Sequence, residues 1–183
     1  MNRIRNSITA FTLSFLLSSC SDLHLAESES FIDAFYSFDP VQLEPFFTNA
    51  QESSPDITYY QGWAEGGNYK ILNRTPCIAV ESNKVECSIT VEDDPVLALG
   101  IEFKVTDTFH ISFESGRISA IETSSDDQPI YYAASDWVRA NLPDLIGVPC
   151  LGFFNGGPTP GDCARAMAQG YAQFAASDDF PGQ

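Results

Sequence analysis

The sequence predicts an α+β domain in which helices come first, an antiparallel sheet follows and further helices close the chain. Three observations carry this. The apolar period changes from helical to two at Thr75, short turns join successive alternating segments, and proline and acidic helix signals stand on both sides of them.

Taken in order, Ser30-Phe-Ile-Asp33 can cap a helix near residues 30–38 whose apolar face holds Phe31, Ile32, Phe35 and Phe38. Asp39-Pro40 supplies an N-cap and first position for a second helix, which Pro45 keeps short or bent. After Ser53-Ser54-Pro55-Asp56, the residues Ile57, Tyr60 and Ala64 fall at helical spacing until Gly66-Gly67 ends the helix. Cys77 to Glu81, Val85 to Glu92, Leu99 to Glu114 and Arg117 to Thr123 then read as four strands of an antiparallel meander. Ser115-Gly116 is a two-residue hairpin turn, and Asp93-Asp94-Pro95 ends the second strand. Pro129 to Asn141 reads as a helix that Pro143 stops. Thr159-Pro160-Gly161-Asp162 starts a last helix with a stripe of small residues and Tyr171.

The start of the chain carries the most specific local pattern. Arg3 and Arg5 precede an apolar run from Ile8 to Leu17, which at about ten residues is too short for a membrane span of about 20. Leu17-Ser18-Ser19-Cys20 closes it and resembles the lipobox of bacterial lipoproteins. The resemblance implies a signal peptide over 1–19, lipidation of Cys20 and a lipid-anchored protein of the cell envelope. Several acyl chains give stable anchoring. Ser21 rather than aspartate follows the cysteine, which by the same resemblance points to the periplasmic face of the outer membrane. Residues 20–29 read as a polar tether, 30–176 as one domain with a helical extension from about 125, and 177–183 as an acidic tail.

The chain has 183 residues and a formal charge of −16, so removal of residues 1–19, with their two arginines and no acid, leaves 183 − 19 = 164 residues at −18. That balance excludes nucleic acid as a partner and anionic lipid surfaces as a docking site, so the membrane is met through the lipid anchor only. A small apolar or cationic ligand is the partner class left, and a dimer is compatible with everything read here. Four cysteines remain once Cys20 is set aside, and in an exported chain they form disulfides. Four cysteines allow three connectivities. The Cys77–Cys87 segment reads as a hairpin that sets its cysteines opposite each other, and Cys150 lies near Cys163 in sequence, so Cys77–Cys87 and Cys150–Cys163 are expected. A four-cysteine zinc site lacks its close Cys-x-x-Cys pairs.

Odd positions of the third strand are apolar except Asp107: Phe103, Val105, Phe109, Ile111 and Phe113 surround it. Regular pairing across Ser115-Gly116 sets Phe109 opposite Glu122 and brings Glu122 to the same face. A carboxylate on an apolar surface is prepared for acid, base or anchoring chemistry, or is held by hydrogen bonds near a strand irregularity. Tyr60, Trp63 and Tyr59 are core aromatics or pocket lining. The candidate pocket is therefore Asp107, Tyr60, Trp63, Phe109 and Glu122. His110 alternates onto the polar face, and no nucleophile elbow accompanies Ser112, so no triad and no catalytic set is assigned. Glu92-Asp93-Asp94 and Asp126-Asp127 lack EF-hand spacing, and the glycine-rich Gly152–Gly161 segment lacks the phosphate-loop Gly-Lys-Ser/Thr. No metal or cofactor is expected. Phe153 and Phe154 would serve as packing residues or a pocket lid in a disulfide-pinned flap.

The order of helices, Cys77 hairpin, Asp93-Asp94-Pro-Val-Leu-Ala-Leu-Gly-Ile-Glu-Phe103 and Phe109-His-Ile-Ser-Phe-Glu-Ser-Gly-Arg-Ile118 resembles the nuclear-transport-factor-two-like superfamily, SnoaL-like domains included. The likeness covers about residues 30–124. It implies a curved, cone-like sheet wrapped around the N-terminal helices and enclosing a pocket, with Asp107 where such domains point a polar group inward. Members include isomerases, dehydratases, cyclases and non-catalytic binding domains, so two functions stand. One is a lipid-anchored binding or interaction domain. The other is a small-molecule lyase, isomerase or hydrolase using Asp107, with Tyr60, as acid or base.

Overall fold

A computed structural model of the chain describes residues 14–152 and 160–181, with side chains from residue 21 onward. Phe153, Phe154 and Thr159 lie outside the described residues, as does the side chain of Cys20. The architecture is mixed helix and antiparallel sheet. In order come α1 (Ser14–Phe35), α2 (Pro40–Leu43), a 3-10 turn (Glu44–Phe47), α3 (Ser54–Gly66), β1 (Lys70–Arg74), β2 (Ile78–Glu81), β3 (Lys84–Glu92), α4 (Asp94–Ala98), β4 (Val105–Glu114), β5 (Arg117–Ser125), α5 (Pro129–Asn141), α6 (Pro143–Ile146) and α7 (Pro160–Ala175).

The sheet order is β1-β3-β4-β5, with β2 also paired to β3. Alternation dictates what it buries. Val85, Cys87, Ile89 and Val91 of β3 and Val105, Asp107, Phe109, Ile111 and Phe113 of β4 turn to one face, while the positions between them stay half-buried or exposed. Phe31, Ile32 and Phe35 of α1 cover that face, with Phe31 and Phe35 meeting Phe109 edge-on at ring-centroid distances of 5.7 and 4.8 Å. Ser88–Thr108 and Thr90–Thr106 hydroxyl pairs, both 3.2 Å, line the other face. A second core joins Trp63 and Leu99 to Ala134, Val138, Ala164, Met167, Tyr171 and Phe174, setting α5 and α7 against α3 and α4. Close approach there needs glycine: a Cβ on Gly66 would fall 2.2 Å from Gly161 Cα, and one on Gly170 would fall 2.6 Å from Val138 Cγ2.

Both expected disulfides, Cys77–Cys87 and Cys150–Cys163, form. The first ties β2 to β3 and the second ties the segment after α6 to α7.

Four expectations change. The first helix does not begin near residue 30, and residues 20–29 are no loose tether: α1 runs from Ser14, and His24, Leu25, Ser28, Phe31, Ile32 and Phe35 form one stripe at helical spacing. His24 stacks on Phe113 at 4.1 Å, and Ser28 is fully buried. Glu29 receives Arg74 Nη2 at 2.6 Å and the Cys77 backbone N–H at 2.6 Å, fastening the helix to the sheet edge. The third expected strand starts at Val105 rather than Leu99, because Asp93 caps the short α4 and Gly100 turns at φ 67°. An additional strand, β1, precedes the hairpin.

The fourth change concerns β5. Glu114 pairs with Arg117 and Phe113 with Ile118, but the register then shifts, so that Ser112 meets Ala120, His110 meets Glu122 and Phe109 meets Thr123. A bulge at Ser119, whose hydroxyl donates to the Ser112 carbonyl at 3.2 Å, takes up one residue. One residue reverses the faces of everything beyond it. Glu122 is therefore exposed on the face away from Asp107.

Candidate functional site

A cavity of about 330 Å³ opens where the two cores meet. Helix α3 brings Tyr59, Tyr60 and Trp63 to its wall from consecutive turns, and Tyr69 follows from the chain leading into β1. Val105 and Asp107, two apart on β4, share its floor because they share a sheet face. The end of β5 adds Thr123, Ser124 and Ser125, and Asp127 and Tyr131 complete it from the start of α5. Tyr60 and Tyr69 stand at 87° with centroids 6.3 Å apart, forming a corner of the wall.

Asp107 is 1% exposed. Tyr36 of α1 donates its hydroxyl to Asp107 Oδ2 at 3.4 Å, and Tyr60 is a second hydrogen-bond partner. Tyr60 pairs in turn with Tyr69, and Tyr69 with Asp93, so two buried carboxylates stand at the ends of a row of tyrosines. Burial pushes Asp107 up from an ordinary 3.8 to about 7, the Tyr60 hydrogen bond opposes this, and the charges of Asp127 and Asp93 reinforce it. Burial likewise lifts Asp93 to about 6, against the backbone N–H of Val96, which its carboxylate accepts at 2.6 Å. The tyrosines move further from ionisation. Burial raises Tyr60 and Tyr69 well above 10, with neighbouring tyrosine and aspartate charges adding to it, and raises Tyr59 to about 12. At neutral pH the wall is thus a set of neutral phenols around a carboxyl poised near its midpoint. No lysine, arginine or histidine is among the described lining residues.

Of the residues singled out in the sequence, Asp107, Tyr60 and Trp63 meet in this cavity. Phe109 is fully buried beneath it, its ring 6.2 Å from that of Tyr60, and supports the floor without lining it. Glu122 does not join them, for the register reason given above. It lies with His110, whose Nδ1 contacts Glu86 Oε1 at 3.2 Å and whose Nε2 contacts Ser124 Oγ at 2.8 Å on the open face of the sheet. Tyr36, Tyr69 and Tyr131 are not marked by the sequence pattern. They sit in stretches where the apolar spacing indicates only packing, and only the folded chain brings them to Asp107.

The acidic turns are occupied within the protein. Asp93 caps α4, Asp94 accepts from Asn68 Nδ2 at 3.1 Å, Asp126 accepts from the Thr106 N–H at 2.5 Å, and Asp127 accepts from Ser125 at 2.5 Å and Tyr132 at 3.3 Å. Among the described residues no group of three or more His, Cys, Asp or Glu is placed to hold a metal ion. Nor is any described helix long and apolar enough to cross a membrane.

Comparison with family models, curated proteins and solved structures finds no match to the chain.

Proposed function

We propose that the protein is a lipid-anchored, periplasm-facing binding domain that holds a small molecule in the cavity over Asp107. The observation that carries this reading is the cavity itself: about 330 Å³ of space walled by five aromatic rings around one buried carboxyl group. Ligand sites are concave, largely apolar and furnished with a few convergent polar groups, and this volume lies at the small end of their range. Helices on one face of an antiparallel sheet support a cone-like, nuclear-transport-factor-two-like arrangement. The Leu17-Ser18-Ser19-Cys20 resemblance supports the anchor.

A fragment screen by ligand-observed NMR tests the pocket. Hits are expected for the wild type and are expected to vanish in Thr123→Trp, an exposed lining position that shares the sheet face of Phe109 and Asp107. A screen without any hit sensitive to that substitution would refute the reading. Anchoring is tested by intact mass of the envelope-extracted protein, where a mature chain starting elsewhere than an acylated Cys20 removes it. The catalytic reading keeps one specific support, a carboxyl near neutrality beside the Tyr60 hydroxyl, suited to proton transfer. Under that reading Asp107→Asn abolishes turnover of a pocket ligand and leaves its binding in place.

A further inference from the structure

The cavity has a chemical bias beyond its size. Among its described lining residues the only formal charges are carboxylates, Asp107 in the floor and Asp127 at the α5 end, with Asp93 behind Tyr69. An anionic ligand would therefore meet like charge in a desolvated site. A bare metal ion fits no better, since the described carboxylates do not cluster and the phenols of Tyr60 and Tyr69 are held protonated by burial. Neutral aromatic rings are what an organic cation seeks, because their faces carry negative quadrupole density. An ammonium within about 6 Å of such a ring is attracted more strongly once it is desolvated. Tyr59, Tyr60, Trp63, Tyr69 and Tyr131 supply rings from three directions, and the right-angled Tyr60–Tyr69 corner offers two at once.

We propose that this pocket takes a small organic ammonium ion, its cationic head against the Asp107 carboxylate and the surrounding tyrosine and tryptophan rings. The proposal rests on the pocket reading above and names its ligand class. A buried carboxylate without a counter-ion is costly, and an incoming ammonium supplies one. The acidic surface, −16 over the whole chain, raises the local concentration of such cations. The groups facing Asp107 are Tyr36 of α1, Tyr60 of α3, Tyr69 ahead of β1, Asp93 before α4 and Asp127 before α5. Arg74, a cation that acts on Tyr36, is engaged by Glu29 and Asp33.

Calorimetric titration of the oxidised protein compares choline with its neutral carbon isostere 3,3-dimethylbutan-1-ol, and benzylamine with benzyl alcohol. Each ammonium is expected to bind at least roughly tenfold tighter than its neutral partner at pH 8.5. Its affinity should fall about 30-fold at pH 5.5, as Asp107 takes up a proton. Asp107→Asn should cut the preference to what the rings alone supply and remove most of the pH dependence. The wild-type comparisons alone decide the matter should the variant fold poorly. Neutral isosteres binding as well as their ammonium partners, or pH-independent ammonium binding, would overturn the ligand class while leaving a small-molecule pocket in place. Absence of binding by all four probes also overturns it, and the Thr123→Trp fragment screen then decides the pocket reading separately.

Discussion

Replacing Asp107 by asparagine keeps the shape of the floor and removes its charge, so it isolates what ionising this group costs the fold. In the unfolded chain the carboxyl ionises near 3.8, and in the folded protein near 7. Between those values the native state holds a proton that the unfolded state has released. Stability contributed by the neutral carboxyl is therefore complete at low pH and is lost as pH rises through 7. Moving from pH 5 to pH 8 should cost the wild type about 2.5 kcal/mol through this group alone, from 2.303RT per pH unit across the part of the window left open. Asp93, lifted to about 6, is present in both proteins and cancels in the comparison. Urea unfolding at pH 5, 6, 7 and 8 with disulfides intact measures the difference. The substituted amide can still meet the Tyr36 and Tyr60 hydroxyls, so the two proteins should be similar only below the unfolded value of 3.8, and at pH 5 ionisation of the unfolded carboxyl already gives the variant a lead of about 1.7 kcal/mol. From pH 5 to pH 8 the variant's lead should grow by about 2.5 kcal/mol, with unchanged m-values. A wild-type stability that rises from pH 5 to 8 relative to the variant would refute the argument from desolvation.

Three further outcomes follow from the packing. Gln61→Leu should destabilise by about 2 kcal/mol in thermal unfolding, because the buried amide donates to the Ala34 and Phe35 carbonyls at 3.1 and 2.9 Å and ends α1 with them. Gly66→Ala should cost about 3 kcal/mol or more, since the new methyl meets Gly161 backbone that cannot withdraw, while Gly116→Ala loses only the turn's left-handed preference; chemical denaturation ranks the two. Ser28→Ala should be neutral or stabilising by about 1 kcal/mol in the same assay, as its buried hydroxyl has no partner among the described residues.

The sheet was legible where side chains alternate strictly. β3 and β4 bury every second residue, and the Ser115-Gly116 turn, at φ 52° and 77°, has the geometry its residues suggest. The cysteine pairs were legible because each is local. β1 was not, since Lys70-Ile-Leu-Asn-Arg74 is exposed or half-buried along its length and alternates nowhere. The stripe of α1 was hidden for a related reason. Its upper positions are His24 and Ser28, whose burial depends on Phe113 and the sheet edge, far away in sequence. In the site, Asp107 could be found as the one acid on an apolar face. Its tyrosine partners could not, because tyrosine is equally at home in a core, and the position of Glu122 turned on whether one serine is paired or bulged. Polar residues that complete an interior are legible only from the contacts they make.

The row Asp93, Tyr69, Tyr60, Asp107 also has an arithmetic of its own. It contains three links, and its two phenols can each give one hydrogen. With both acids ionised the row is a hydrogen short; with one of them protonated every link has a donor. A single shared proton therefore completes it, and the row then runs in one of two directions. When Asp107 holds the proton the hydroxyls point toward Asp93, and when Asp93 holds it they point toward Asp107. A cation seated on Asp107 would favour the other direction, reached by three proton transfers, Asp107 to Tyr60, Tyr60 to Tyr69 and Tyr69 to Asp93, which carry the proton to the cap of α4 while no heavy atom leaves its place.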